Sequence, residues 1–597
     1  MRSRDWFEPL SLWGIMHRGW MSAEGLSPEV FDGRPVVGIC NSWSELNNCN
    51  TNLKDIAEAV KRGVWQAGGL PLEFPTISLG ELMMKPTTML YRNLMAIDVE
   101  ECIVAHPLDS VVLLAGCDKT VPAQIMGAIS ANVPALMVTS GPMLRSNYRG
   151  RELGSGHSIS DYLNEYNAGM ISRQDLCEIE TCISRSTGHC TVMGTASTMA
   201  CLVEAMGFTL PGGAAIPGPD ARRLHLAERA GRRAVAMAQE FLTPRKIITP
   251  QTLENAIRVL HAIGGSTNAV IHLIAFARRL GFDLPLEHFD RLAEGVPLLV
   301  NIMPSGKYGM ENFHAAGGMQ AVLKELAPIL HQDVMTITGE TMAQWLERAE
   351  PSWNRDIIYD AHQVSEGNGA IRMLRGTLCP SGALIKTSAA SPHLMQHHGP
   401  AFVFDDYEKM LVELNDPELP VTSDHVLILK GGGPIGGPGM PEWGVFGIPL
   451  KLFRQGVRDV VRISDARASG TSHGTIVVHT APEAAVGGPI GLVQTGDVIE
   501  LDVASGRLDL LVEPAELERR RKGFVPPARP VRGYKQLYFD HVLQADQGVD
   551  FDFMTTELQP FPLLSRPTEI SKEQSVELGK PAVDRLSGKQ ANLRRHS

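Results

Sequence analysis

The 597-residue chain is 44% hydrophobic and 20% charged, the balance of a globular protein with core enough for two or more domains. Its 66 Asp and Glu outnumber 55 Lys and Arg, giving a formal charge of -11, so a basic nucleic-acid-binding face is excluded. No apolar run approaches the roughly 18 residues of a membrane span, Glu8, His17 and Arg18 interrupt any secretory signal, and nine scattered cysteines without CxxC spacing exclude a disulfide framework or structural zinc site; a cytoplasmic protein is expected.

In chain order, residues 35–40 read as a strand, and 53–60 place apolar residues three and four apart as a helix does. The aliphatic run 111–115 is a second strand. It meets the turn Gly116-Cys117-Asp118-Lys119-Thr120, a helix begins near Val121, and 135–138 is a further strand. This alternation predicts an N-terminal α/β/α domain with a mainly parallel sheet over 1–375. Beyond about 376 the strands at 425–430, 475–479 and 497–503 are separated by Gly and Pro turns, which predicts a β-rich, barrel-like C-terminal domain over 376–567. The polar, aperiodic stretch 568–597 reads as a loosely held tail.

The turn at Gly116 to Thr120 gathers a thiol, a carboxylate and an amine where open α/β sheets place ligands, beyond the carboxyl ends of the strands. Cys49 and Cys190 stand on similar polar turns before helices, a setting that favours thiolates. Three thiolates are one fewer than an iron-sulfur cluster usually takes, and an iron left with an open position acts as a Lewis acid. Duller readings stand beside each residue. Cys117 reads equally as a small core residue, Asp118 as a helix cap, Glu81 as a helix-start carboxylate, Lys119 as half of a surface ion pair, Ser469 as a turn residue and Glu442 as part of a tight connection. Cys40, Cys102, Cys177, Cys182, Cys201 and Cys379 read as structural, and His189, His473 and His479 as hydrogen-bonding residues without a catalytic role. Gly431 to Gly436 fits GxGxxG, but the Gly-Pro run after it prevents the helix that a dinucleotide site needs. There is no Walker A sequence.

Asn47-Asn48-Cys49-Asn50, Gly116-Cys117-Asp118-Lys119-Thr120 and Gly188-His189-Cys190-Thr191-Val192-Met193-Gly194 resemble the three cluster-binding segments of the IlvD/Edd dehydratases, which convert 2,3-dihydroxy acids to 2-keto acids. The resemblance continues in order through Ser78-Leu79-Gly80-Glu81, His261 to Asn268, Pro304-Ser305-Gly306-Lys307, Gly436 to Glu442 and Ala468-Ser469-Gly470-Thr471. It implies an α/β domain followed by a barrel-like domain. It further implies a 2Fe-2S cluster on Cys49, Cys117 and Cys190, other members carrying 4Fe-4S, and Mg2+ on Glu81, Asp118 and Glu442, joined by Lys119 after carbamylation. Ser469 resembles the serine that acts as general base. Arg185 to Cys190 and the stretch 532–553 look most like the sugar-acid branch, which implies a small-molecule aldonate such as arabinonate or xylonate and, by analogy, a homodimer or homotetramer. The branched-chain dihydroxy acid is the alternative substrate. A non-catalytic iron-sulfur sensor or scaffold is a third reading, opposed by Ser469 and Glu442, which a cluster alone does not need. Asn48 stands where the family usually has proline.

Overall fold

The computed structural model describes residues 1–564 apart from 155, 156, 365, 366, 368, 556 and 563, so the tail read at 568–597 lies outside the described residues. Four short runs form a parallel sheet: β1 (Val36–Asn41), β2 (Leu70–Pro75), β3 (Ser110–Ala115) and β4 (Ala135–Thr139), in the order β2-β1-β3-β4. β1, β3 and β4 are buried along their whole length, as parallel strands covered on both faces must be. The connecting helices are α1 (Leu53–Gln66), α2 (Met89–Ala105) and α3 (Thr120–Ala131). Right-handed crossovers put α1 on one face of the sheet and α2 with α3 on the other. Helix α4 (Thr195–Ala205) is buried throughout, α5 (Ala221–Glu240) packs beside α1, and α6 (Asn268–Arg279) packs on α3. The chain leaves β1 toward one edge and β3 toward the other, so the gap beyond the ends of β1 and β3 is the switch point where such sheets open a crevice.

The second sheet has eight strands: β5 (Arg372–Leu374), β6 (Gly382–Ile385), β7 (Gln396–Phe404), β8 (Val426–Leu429), β9 (Arg462–Ser464), β10 (Ile476–Ala481), β11 (Val498–Asp502) and β12 (Arg507–Leu511). Their order is β12-β11-β7-β8-β9-β10-β6-β5, and a bridge between Arg375 and Arg507 brings the two ends together, so the sheet is nearly closed. Strands β7 to β10 pair in parallel, joined by crossovers that include the helices Tyr407–Glu413 and Leu450–Arg454. Alternate residues serve two cores. Ile385, Ile428 and Val477 fill the barrel, whereas Leu384, Ile476 and Val478 pack into the core of the α/β region. No helix among the described residues is long and apolar enough to cross a membrane.

The buried titratable groups predict a particular acid response. Burial pushes His261 down to about 4 and His479 down to about 3. A base with a depressed folded value keeps its full stability above its unfolded value near 6.5 and loses about 1.4 kcal/mol per pH unit below it. Burial also pushes the Glu204 and Asp465 carboxyls up and Glu483 up to about 7. Those three have the opposite sign, because the folded chain binds their protons before the unfolded chain does as pH falls, Glu483 from about 7. The two effects oppose one another down to the ordinary carboxylate range; below it the carboxyl gain ends, and the histidine loss is joined by that of carboxylates held low, such as Asp220 at about 2. Urea midpoints measured from pH 7.5 to 3.5 are therefore expected to change little above pH 5 and to fall steeply below 4.5. A decline of constant slope from pH 7 would contradict this balance.

Candidate active site

The three thiols converge at the switch point. Cys49 sits in the short turn Asn48–Asn50 after β1, and Cys117 follows β3 directly. Asn50 ties the two turns: its Nδ2 donates to the Ser42 carbonyl (2.8 Å) and its Oδ1 accepts from the Cys117 N–H (3.2 Å). Gly116 lies so close to the Cys49 carbonyl that a Cβ there would stand 2.3 Å from it. Cys190 arrives beyond β4, where His189 N–H donates to Gly141 (2.9 Å) and Met143 N–H donates back to His189 (2.8 Å). Asn48, the departure from the family pattern, adds a tie that proline could not make, since its Nδ2 donates to the Ser186 (3.4 Å) and Gly188 (3.3 Å) carbonyls. The Cys117 thiol, to which Cys49 is hydrogen-bonded, pushes the Cys49 thiol well up, and burial, Cys190 and Asp118 push the same way. Cys49 is thereby held as the neutral thiol, against the thiolate expected of such a turn, and a bound metal would bring the thiolate by displacing that proton.

A chain of charges runs from this point to the barrel. Asp118 does not cap α3: the cap position is Lys119, and the Asp118 carboxylate instead meets the Cys117 thiol (3.4 Å) and the Lys119 ammonium. Lys119 is fully buried and lies 3.9 Å from Glu81, so the surface-pair reading fails. Glu81 keeps part of its helix-start reading, accepting the Thr88 N–H (3.2 Å) and the Thr87 hydroxyl (2.7 Å) just before α2. Burial works to raise the Glu81 carboxyl, but Lys119, Arg467 and the two threonines hold it below the usual range. From the barrel, Glu442 opens the turn Glu442–Gly444, accepts from Asn268 Nδ2 (3.4 Å) and meets Arg467 Nη1 (3.3 Å). Its carboxyl is pushed up by burial against the pull of Arg467. Among the described residues no three His, Cys, Asp or Glu side chains stand around one metal position, and the Lys119 ammonium lies between Asp118 and Glu81.

Ser469 lies on the next barrel connection, between β9 and β10, with its Oγ 3.0 Å from the Thr471 hydroxyl. The loop presses on the segment that carries Cys190: a Cβ on Gly470 would meet the Thr195 N (2.6 Å) and Ser266 Oγ (2.8 Å). Thr471 also lines a cavity of about 620 Å³ whose walls include Arg151, Asp161, Glu165, Ser472 and His473. Sequence reasoning assigned no part to Arg467, which is fully buried and reaches Thr87, Glu81 and Glu442. Its signal in the sequence was its place two residues before Ser469. Asn268 and Thr195, hydrogen-bonded to each other at 3.0 Å, went unnoticed for want of charge. Cys177, read as structural, is exposed on the helix Arg173–Ile183, and none of the nine cysteines forms a disulfide.

Thiols and carboxylates thus meet at a sheet switch point, with a barrel connection packed over them. Residues 34–345 match the family model described as dihydroxy-acid/6-phosphogluconate dehydratase N-terminal, and 356–549 match its C-terminal counterpart. The chain belongs to this IlvD/Edd dehydratase family and is a hydro-lyase. It is 49% identical over 558 residues to an L-arabinonate dehydratase of Rhizobium leguminosarum bv. trifolii (strain WSM2304), covering 93% of this chain and 96% of the relative. A 6-deoxy-6-sulfo-D-gluconate dehydratase of Pseudomonas putida is 47% identical with the same coverage. An L-arabonate dehydratase of Azospirillum brasilense is 48% identical over 93% of this chain and 97% of its own length. These relatives lie on the sugar-acid branch of the family.

Proposed function

We propose that the protein dehydrates an aldonate, a 2,3-dihydroxy sugar acid, to its 2-keto-3-deoxy acid. The observation that carries this reading is the buried chain Asp118–Lys119–Glu81–Arg467–Glu442, which joins the two domains beside three converging thiols and Ser469. The donor chemistry fits the groups that family members generally use. Cys49, Cys117 and Cys190 would hold an iron-sulfur cluster of the 2Fe-2S type, and Glu81, Asp118 and Glu442 would hold Mg2+. Three carboxylates face two cations, Lys119 and Arg467, so the network has anionic capacity to spare. Carbamylation of Lys119 would turn a repelling ammonium into the hard oxygen donor that Mg2+ prefers. Bound there, the two groups supply Lewis acidity for the carboxylate end of the substrate and for the departing 3-hydroxyl.

The chain's own residues do the rest. Ser469 Oγ acts as the alkoxide, its own proton having left to solvent, and takes the C2 proton to become the hydroxyl again; Thr471, 3.0 Å away, fixes the direction in which that oxygen points. Gly470, pressed on Thr195 and Ser266, holds the serine against the Cys190 segment, so base and leaving hydroxyl stay on a fixed geometry. The cavity beyond Thr471 takes the distal carbons. Its Arg151, Asp161, Glu165, Ser472 and His473 can hydrogen-bond the hydroxyls of such a chain, beside apolar walls at Val445, Phe446 and Ile448. The deciding experiment is anaerobic purification followed by a 2-keto-acid assay with Mg2+ over a panel of aldonates and branched dihydroxy acids. Turnover of an aldonate and loss of visible absorbance in Cys117→Ser are expected. Absence of turnover by cluster-loaded protein on every member of the panel would sink the reading, and an unchanged spectrum in Cys117→Ser would remove that residue as a ligand.

A further inference from the structure

After the barrel, the chain returns to the domain seam as a small loop over 543–550, closed by Leu543 N–H to Asp550 (2.9 Å) and Val549 N–H to Gln544 (3.2 Å). One side of the loop is fastened to the α/β region. Arg92 Nη2 donates to the carbonyls of Gly548 and Val549 (2.9 Å each), Asn93 Nδ2 donates to Val549 (2.9 Å), and Arg279 pairs with Asp550 (2.6 Å), all of these side chains being buried. Arg92 and Asn93 belong to α2, whose first turn directly follows Thr87 and Thr88, the donors to Glu81.

The other side of the loop is fastened to the barrel. Gln544 Nε2 donates to Glu483 Oε1 (2.9 Å), and Gln544 Oε1 accepts the Glu483 N–H (3.0 Å). The same Glu483 carboxylate accepts the N–H groups of Ile435 (2.9 Å) and Gly436 (2.8 Å), which open the connection leading to Glu442. Within that connection Gly437 N–H bonds Gly433 (3.0 Å) and Met440 N–H bonds Gly437 (2.6 Å). Arg467 Nε then holds the Met440 carbonyl (2.6 Å) while its Nη1 reaches Glu442. Met89, Ile271, Met440, Ala545 and Val549 form one apolar cluster, so loop, helix start and connection are packed as well as bonded.

We propose that the loop 543–550 is a strap that sets the separation between Glu81 and Glu442, and that Gln544 is its positioning residue, acting through Glu483. The proposal rests on the reading of those carboxylates as Mg2+ ligands. They come from different domains, and Mg2+ demands near-ideal octahedral geometry, so a relative shift of a few tenths of an ångström weakens binding. A strap bonded to α2, whose start holds Glu81 through Thr87 and Thr88, and to the start of the connection that carries Glu442 is what resists such a shift.

The test uses Mn2+ as the probe, its affinity read by electron paramagnetic resonance of the free ion on anaerobic full-length protein, with kcat, KM and visible absorbance alongside. Gln544→Ala and Glu483→Gln are each expected to weaken Mn2+ binding about 10-fold or more, the usual effect of losing an outer partner of a metal site, with absorbance unchanged. The double variant is expected to be within about twofold of the weaker single, because the two residues act in one line. His541→Ala, which loses an exposed contact with Asp552 and an edge contact with the Phe553 ring but none with the loop's ties to Arg92, Arg279 or Glu483, is expected to match the wild type. Mn2+ affinity within about twofold of wild type in Gln544→Ala and Glu483→Gln, or multiplying losses in the double variant, overturns the strap. Unchanged affinity in Glu442→Gln overturns the ligand reading and the strap with it, whereas affinity lost in Glu442→Gln but kept in Gln544→Ala overturns the strap alone.

Discussion

Ser469→Ala is expected to lower kcat on the best aldonate by about 10^3-fold, within the range for removal of a general base, while KM changes only a few-fold and the visible absorbance stays at the wild-type level. The split follows from where the serine sits. Its Oγ is bonded to Thr471 and to none of the groups that would hold the substrate carboxylate, so removing it leaves that end of the substrate anchored. The three thiols stand on the turns after β1 and β3 and on the Cys190 segment, and the alanine adds no bulk to press on them. Packing supplies the rest of the argument. A Cβ on Gly470 would fall 2.6 Å from the Thr195 N and 2.9 Å from the Gly194 carbonyl carbon, so the backbone at Ser469 is held against α4 whether or not the hydroxyl is present. A variant that loses only affinity, with kcat intact, would make Ser469 a binding residue. Full activity would remove it from the site.

What the sequence made legible follows the physics of each element. β1, β3 and β4 are short aliphatic runs ending at Asn41, Ala115 and Thr139, and buried parallel strands announce themselves in that way. The lack of a helix at Gly431 to Gly436 was readable because proline and glycine forbid one. The parallel pairing of β7 to β10 was not readable, because the helices in its crossovers, Tyr407–Glu413 and Leu450–Arg454, are short and lie among Gly and Pro turns that look like those of an antiparallel meander. At the site, the cysteine turns were visible as chemistry at helix entrances, but their convergence was not, since it depends on strand order. Arg467 was hidden for another reason. A buried arginine is stabilised only by its partners, here Met440, Thr87 and Glu442, and all three lie on other segments of the chain. The shift of Asp118 from helix cap to ion partner has the same origin, because Lys119 approaches it only once the turn is buried.

Gly116→Ala is expected to abolish loading of the three-cysteine site and to destabilise the fold by about 1–3 kcal/mol, the usual cost of overpacking. A Cβ at this position would stand 2.0 Å from Ser140 Oγ, 2.3 Å from the Cys49 carbonyl oxygen and 2.6 Å from Ser140 Cβ. A serine side chain can turn away. The Cys49 carbonyl cannot, because its segment is held by the Asn50 bonds to Ser42 and to the Cys117 N–H. Relief must come from parting the turn after β1 from the turn after β3, which are the two turns that bring Cys49 to Cys117. Iron and sulfide per chain, visible absorbance and the urea midpoint measure the outcome together. Adding Ser140→Gly removes the serine clash and leaves the carbonyl clash, so the double variant is expected to recover part of the stability and none of the loading. If loading returns with stability, Ser140 alone was the obstacle and the spacing of the two cysteine turns does not depend on the glycine. If Gly116→Ala loads fully from the start, the switch-point crevice tolerates an opening that the close approach of these two turns says it should not.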